Sequence, residues 1–239
     1  RSWELGVRLA GMTLGWVVLV LAPVMVAAQT AVAPGTTAGP VQVYANAELH
    51  LTFSYPADLA PVDAAAVAAV GRRMVYGANE ESDDPDHPKA DACTKVLLSV
   101  GKGSERQAGT WVRLGVLDEN AQCFPAKVFQ NKKATDALLR NLVKQGTTVM
   151  GMMPVEEPVG YLMQGHRAGF CAAQGAPVTG SDVQTGGDQL IGVVAVAVDG
   201  HVLGWVLESN DPATLNRLLG SGVDFGAGKV ERLFPGVAQ

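Results

Sequence analysis

Aromatic side chains are scarce in this sequence. Phe, Trp and Tyr make up 6% of 239 residues, so Ala, Val and Gly must do much of the apolar work. Clustered positive charge is missing too: the 18 Lys and Arg residues are scattered, and the net charge is −5. Tight nucleic-acid binders present a basic face, so nucleic acid is excluded as a partner class. No G-x-G-x-x-G or Walker sequence occurs, nor the G-x-S-x-G elbow of an α/β-hydrolase. The turn from Gly101 to Arg106 (GKGSER) only superficially resembles a phosphate loop, because it joins two strands and no helix N-terminus follows. No cofactor is expected.

Cysteine is sparse, with three in the chain, and none lies near the apolar N-terminal stretch, which disfavours a lipoprotein. That stretch runs from Leu9 to Ala28 (LAGMTLGWVVLVLAPVMVAA), preceded by Arg1 and Arg8 and ending in small residues. A basic start, an apolar middle and a small-residue end are the three parts of a secretory signal peptide. Cleavage is expected between Ala28 and Gln29. Since the chain opens on Arg1, its natural start is expected a little upstream. The competing reading is an uncleaved anchor, since about twenty apolar residues span a bilayer. Pro23 and the small-residue end favour cleavage. Residues 1–28 are therefore expected to be a signal peptide, 29–44 a flexible linker rich in Pro and Gly, and 45–239 a single domain. An exported protein, periplasmic or extracellular in a bacterium, follows. Membrane contact is expected only through the signal segment before cleavage.

Within the domain, Glu48 to Tyr55 alternates Leu49, Leu51, Phe53 and Tyr55 with polar residues, predicting a strand that Pro56 ends. A helix is predicted from about Pro61 to Tyr76, starting at Asp58 or Pro61, with Val62, Val67, Val70 and Met74 as its apolar stripe and Gly77 as its stop. Cys93–Val100 and Trp111–Leu117 predict a hairpin with a long tip. A second helix is expected over Lys132 to Gln145, capped by Gly146. Tyr161–Met163 with Ala168–Ala173 predicts another hairpin. The clearest joins Leu190–Val198 to His201–Glu208 through Asp199-Gly200, the dipeptide suited to a type I′ turn. Ser209 to Pro212 then opens a short last helix ending at Gly220. Locally paired strands with helices between them predict an α+β fold around a mainly antiparallel sheet.

The order of these pieces resembles the PsbP-like family. The residues that carry the resemblance are a strand ending FSYP (Phe53 to Pro56), the turn QGHRAG (Gln164 to Gly169), the Asp-Gly hairpin, an S-x-D-P helix start (Ser209 to Pro212), and Val223-Asp224-Phe225. The resemblance covers roughly Ala45 to Gly226. It implies an α/β/α sandwich around a central antiparallel sheet, and a binding or assembly role rather than catalysis. It supplies no shared active site.

In an exported chain, three cysteines suggest one disulfide and one leftover thiol. The two ends of the first predicted hairpin carry Cys93 and Cys123, the preferred pair; a bridge there closes a loop of some thirty residues, worth about 3 kcal/mol. Cys171 is then expected to be a buried thiol. His166, five residues away across a turn, makes a weak base for it. The acidic stretch Asn79 to Asp91 holds Glu80, Glu81, Asp83, Asp84, Asp86 and His87, without the spacing of a calcium loop or a zinc site. It reads as a solvated loop. His50, His166 and His201 read as surface residues. No catalytic, cofactor or metal-binding residue is assigned. The expected role is a non-catalytic envelope module that binds a protein or small ligand, with Ala173 to Asp188 as its variable loop. The rival reading is a metal-dependent or hydrolytic enzyme using the acidic loop around His87. A structural envelope protein held by an uncleaved leader is the third.

Overall fold

Asp199 and Gly200 take φ of 45° and 84°, the left-handed pair that lets two long strands double back. These strands, β9 (Gln189–Val198) and β10 (His201–Ser209), pair antiparallel along their whole length. They sit at the middle of an eight-stranded sheet in a computed structural model that describes residues 39–77, 90–104, 109–148, 152–175 and 189–236. The segment Ala38–Gln239 forms one compact unit.

Outside β10 lie β5 (Val112–Glu119), β4 (Thr94–Lys102) and the two-residue β3 (Ala60–Pro61). Outside β9 lies β8 (His166–Gly175), whose far edge is shared by β6 (Met152–Pro154) and β7 (Val159–Met163). Every pairing in this sheet is antiparallel. One face carries α1 (Ala65–Tyr76) and α3 (Lys132–Thr147), which bury Val67, Val70, Met74, Leu139, Leu142 and Val143 against it. The opposite face carries α4 (Pro212–Leu219) and a four-stranded sheet in the order β1 (Val41–Asn46), β2 (Leu51–Pro56), β11 (Gly222–Asp224) and β12 (Glu231–Arg232). Phe53 of β2 meets the fully buried Trp205 of β10 edge-on at 6.0 Å, anchoring this second core. The fold is α+β, an α/β sandwich built on a large antiparallel sheet, with the small sheet added beside α4. Among the described residues no helix is long and apolar enough to cross a membrane.

The local chemistry explains the boundaries. Asn131 caps α3 by accepting hydrogen bonds from the Lys133 and Ala134 amides (2.9 and 3.2 Å). Asp211 caps α4 through the Thr214 amide, with Pro212 following at the first helical position. The start of α1 departs from the sequence expectation. Pro61 lies in β3 and the helix begins at Ala65, so Val62 is left 38% exposed instead of joining the stripe. Strand β1 takes up the last four residues of the expected linker, since Val41 to Asn46 pair with Pro56 to Leu51. Its burial is one-sided and weak, which is why its alternation is faint in the sequence. Gly146 does not end α3. It lies within the helix, where an added Cβ would stand 2.7 Å from Met74 Cγ, so its role is close approach to α1.

The same device seats α1 on the sheet. A Cβ at Gly115 of β5 would meet Val67 Cγ1 at 2.2 Å. Gly115→Val is expected to destabilise the fold by about 1–3 kcal/mol through overpacking, read as a lower urea midpoint with an unchanged slope. An unchanged midpoint would show that α1 can shift without cost.

Candidate functional site

Two places bring side chains together in ways that bear on function, and they lie at opposite ends of the large sheet. The first is an apolar cleft of about 350 Å³ between the ends of β8 and β9, helix α4 and the C-terminal segment. Its walls are Phe170, Ala172, Leu190, Leu215, Leu219 and Phe234. Phe234 stacks on Phe170 with ring centres 4.1 Å apart and meets Tyr161 edge-on at 5.5 Å. The Tyr161 hydroxyl donates to the Leu233 carbonyl (2.6 Å), and burial pushes its phenol well above the usual range, so it stays a donor. These contacts fix the C-terminal segment as a wall of the cleft. Along the neighbouring edge, Met153 of β6 and Val155 just after it are 73% and 59% exposed.

The second place is the end of β4, β5 and β10. The single turn α2 (Ala90–Cys93) delivers Cys93, which forms a disulfide with Cys123 across Cα atoms 6.0 Å apart. The Asn120 amide donates to the Cys93 carbonyl (2.7 Å), and the Asn120 side chain accepts from the Gln122 amide (2.9 Å), so the turn carrying Cys123 is fixed on both sides. Cys93 is buried and Cys123 is half-buried. A depression of about 400 Å³ opens beside Cys93, which lines it together with Thr94, Lys95, Asp118, Gln122 and His201; Cys123 does not line it. His201 Nδ1 lies 3.0 Å from Asp118 Oδ1 on its rim.

Beneath the disulfide, the helix-covered face of the sheet holds a buried carboxyl. Glu119 is fully buried at the end of β5, opposite Thr94 on one neighbour and Val202 on the other. The Thr94 hydroxyl donates to Glu119 Oε2 (2.7 Å), while Oε1 has no hydrogen-bond partner. Helix α1 passes over it at Gly71, where a Cβ would come within 2.8 Å of that oxygen. Burial, with the nearby Asp118 carboxylate adding to it, pushes the Glu119 carboxyl up to about 8; the Thr94 hydrogen bond offsets part of this. One turn further along α1, the Tyr76 hydroxyl stands 2.9 Å from Cys93 Sγ. Its phenol is raised by burial and then by Glu119.

Of the residues singled out in the sequence, Cys93 and Cys123 are brought together, and Cys171 is a free, buried thiol. The Thr147 hydroxyl donates to Cys171 (3.3 Å), and burial raises the thiol. His166 begins β8 and packs edge-on against Phe225 at 5.3 Å. His50 is exposed, in a turn with φ of 48°, rather than on the first strand. The cleavage pair Ala28 and Gln29, the acidic loop with His87, and most of the expected variable loop lie outside the described residues. Among the described residues no three His, Cys, Asp or Glu side chains are grouped to hold a metal ion. Sequence reading missed Glu119, Tyr76 and the cleft. Ending the predicted strand at Leu117 left Asp118 and Glu119 looking like loop residues. Continuing its alternation two residues further would have turned Glu119 inward.

Glu119 makes stability depend on pH. Its folded-state value lies above the ordinary 4.5, so the folded protein holds a proton the unfolded chain has given up. Stability is therefore fully present below about 4.5 and falls as pH rises towards about 8, by an amount of the order of 4 kcal/mol. Glu119→Gln is expected to remove this fall, measured as urea midpoints at pH 5, 7 and 9. Equal slopes in the two proteins would refute it.

No known protein family matches the chain, and no curated protein matches it either. Among solved structures it is similar to the PsbP protein CyanoP of Synechocystis sp. PCC 6803, at 11% identity and TM-score 0.39, covering 79% of this chain and 90% of that one. It is also similar to PA94 of Pseudomonas aeruginosa, a protein of unknown function, at 12% identity and TM-score 0.30, covering 75% and 88%. A third is LpqN of Mycobacterium tuberculosis, involved in cell envelope biogenesis, at 12% identity and TM-score 0.28, covering 52% and 66%. The functional reading below uses none of the three.

Proposed function

We propose that this protein is an exported, non-catalytic binding module of the bacterial envelope, and that the cleft between β8, β9 and α4 takes an apolar segment of a partner protein or a small apolar ligand. The observation that carries the reading is the cleft itself, an apolar concavity flanked by exposed Met153 and Val155. Ligand sites are concave and mostly apolar, with a few polar groups for orientation, and Glu156, Gln174 and Asn216 on this rim fit that pattern. Exposed apolar side chains grouped beside such a concavity mark interaction surfaces more often than isolated ones do. The Cys93–Cys123 bridge supports export, because disulfides persist in oxidising compartments.

An environment-sensitive apolar dye, anilinonaphthalene sulfonate, probes the cleft directly. The native protein is expected to bind about one equivalent, and the double variant Met153→Glu, Val155→Lys to bind at least about ten-fold more weakly, a loss of about 1.4 kcal/mol. Both positions are surface sites, so the melting temperature should stay within about 2 °C. Dye binding that ignores the substitutions, or none to the native protein, would sink the reading.

A further inference from the structure

A sheet ends in strands whose outer backbone groups lack a partner, and proteins guard such edges with charge, proline or brevity. Three of the edges in this fold are guarded. Strands β3 and β12 are two residues long, with Pro61 in the first and Glu231 and Arg232 making up the second. The edge shared by β6 and β7 carries Pro154 and, between the two strands, Glu156, Glu157 and Pro158. The fourth edge, β1, is six residues long and reads VQVYAN, with neither charge nor proline. No charged residue occurs anywhere between Arg8 and Glu48.

The pairing on the inner side of β1 fixes which groups face out. The Ala57 amide donates to the Pro40 carbonyl (2.9 Å), one step beyond the pair Val41 and Pro56. Along an antiparallel pair, residues alternate between those whose N–H and C=O turn to the neighbour and those whose groups turn away. Gln42, Tyr44 and Asn46 therefore turn to β2, while Val41, Val43 and Ala45 present their N–H and C=O at the free edge. The N–H that Pro40 lacks would have faced β2, so this proline does not obstruct the edge. The strand is held from behind. Gln42 donates to the Ala57 carbonyl (3.2 Å), the Tyr55 hydroxyl donates to Gln42 Oε1 (2.8 Å), and Tyr44 packs on the core. The side chains of the outward residues are exposed, Val41 by 51% and Val43 by 59%.

We propose that β1 is a self-association edge, at which a second copy of this chain pairs its own β1 antiparallel about a two-fold axis through Val43. The two four-stranded sheets then become one. In this register Val43 faces Val43 of the second copy, and Val41 faces Ala45 of the second copy. Each of these pairs exchanges two backbone hydrogen bonds, so every outward N–H and C=O of both strands is used. Centring the axis on Gln42 or Tyr44 instead would set Ala45 or Val41 beyond the end of the opposing strand. The two Val43 side chains meet on the exposed face as an apolar cross-strand pair. A second copy suits this edge better than a charged peptide, because the edge offers no charge to pair with and the two-fold sets none against its like. None of β1 lines the cleft, so the proposal stands independently of the ligand reading.

Sedimentation equilibrium of the purified chain, from about 1 to 200 µM, tests this. One strand edge makes a small interface, so a dissociation constant of about 10–100 µM is expected. Val43→Lys and Val43→Glu each set like charges across the axis, and Val43→Pro removes an N–H that the single chain does not use. Each should weaken self-association by about ten-fold or more, with the melting temperature of the dilute protein within about 4 °C of native. An equimolar mixture of Val43→Lys and Val43→Glu should dimerise again, because an axis through residue 43 sets those two side chains side by side. Should Val43→Pro not fold, the charged variants carry the test. A native chain that stays monomeric at about 200 µM overturns the proposal, and so does a dimer that the Val43 variants leave intact. Charged variants that remain monomeric when mixed overturn it too.

Discussion

The large sheet is covered on both faces, and this double burial governs the rest of the structure. Side chains alternate across a strand, so a strand with one wet face can be polar at every second position, whereas one buried twice cannot. Accordingly β9 and β10 are buried at nearly every residue, and their sequences, QLIGVVAVAV and HVLGWVLES, have almost no polar alternation. Two helices must then lie on one face without opening voids. The chain meets that demand by removing side chains at the contacts: Gly115 under Val67, Gly146 against Met74, and Gly169 under the backbone of Leu139. Where a helix packs on such a surface, its register is set by sterics to within a few tenths of an ångström.

That register has a chemical consequence at the strand ends. The alternation that turns Gly115 and Leu117 towards α1 also turns Glu119 inward, into a space roofed by Gly71. An ionised carboxylate buried there, with a single hydrogen bond from Thr94, would cost several kcal/mol. Holding a proton is the cheaper state near neutral pH. The contrast with Arg167–Asp136 is instructive. That ion pair between β8 and α3, 2.6 Å long, is partly exposed, so water still solvates both of its groups. Glu119 is thus the place where the packing of α1 is coupled to proton activity.

Much of this fold is legible in the sequence because its signals are local. Asp199-Gly200 sets a turn, Asn131 and Asp211 cap helices, and Leu51, Phe53 and Tyr55 mark one face of β2, all within a few residues. What stayed hidden depends on partners far along the chain. Strand β1 is ordered by β2 and offers little apolar alternation of its own, while β6 is three residues added to the end of β8. The cleft is assembled from Phe170, Leu190, Leu215 and Phe234, each an ordinary core residue in its own segment. Glu119 was hidden for the opposite reason: its local context, Asp-Glu-Asn, is that of a turn, and only the pairing with Thr94 and Val202 shows that the strand continues. The disulfide was within reach because a hairpin brings its own ends together, which makes a long-range contact follow from local pairing.

The two sites stand apart in a way that bears on how they can work. The cleft is lined by Leu190 at the start of β9, and the depression beside the disulfide by Gly200 just past its end. At about 3.3 Å per residue they are separated by roughly 30 Å of continuous strand. Sites that distant with no shared partners act additively unless an element with two arrangements connects them. The connecting element here is the doubly buried pair β9–β10, the part of the molecule least able to shift without opening voids on both faces. Ligand binding in the cleft is therefore expected to leave the disulfide end of the sheet unchanged. The rigid sheet fixes the distance between the two ends without making either a control for the other.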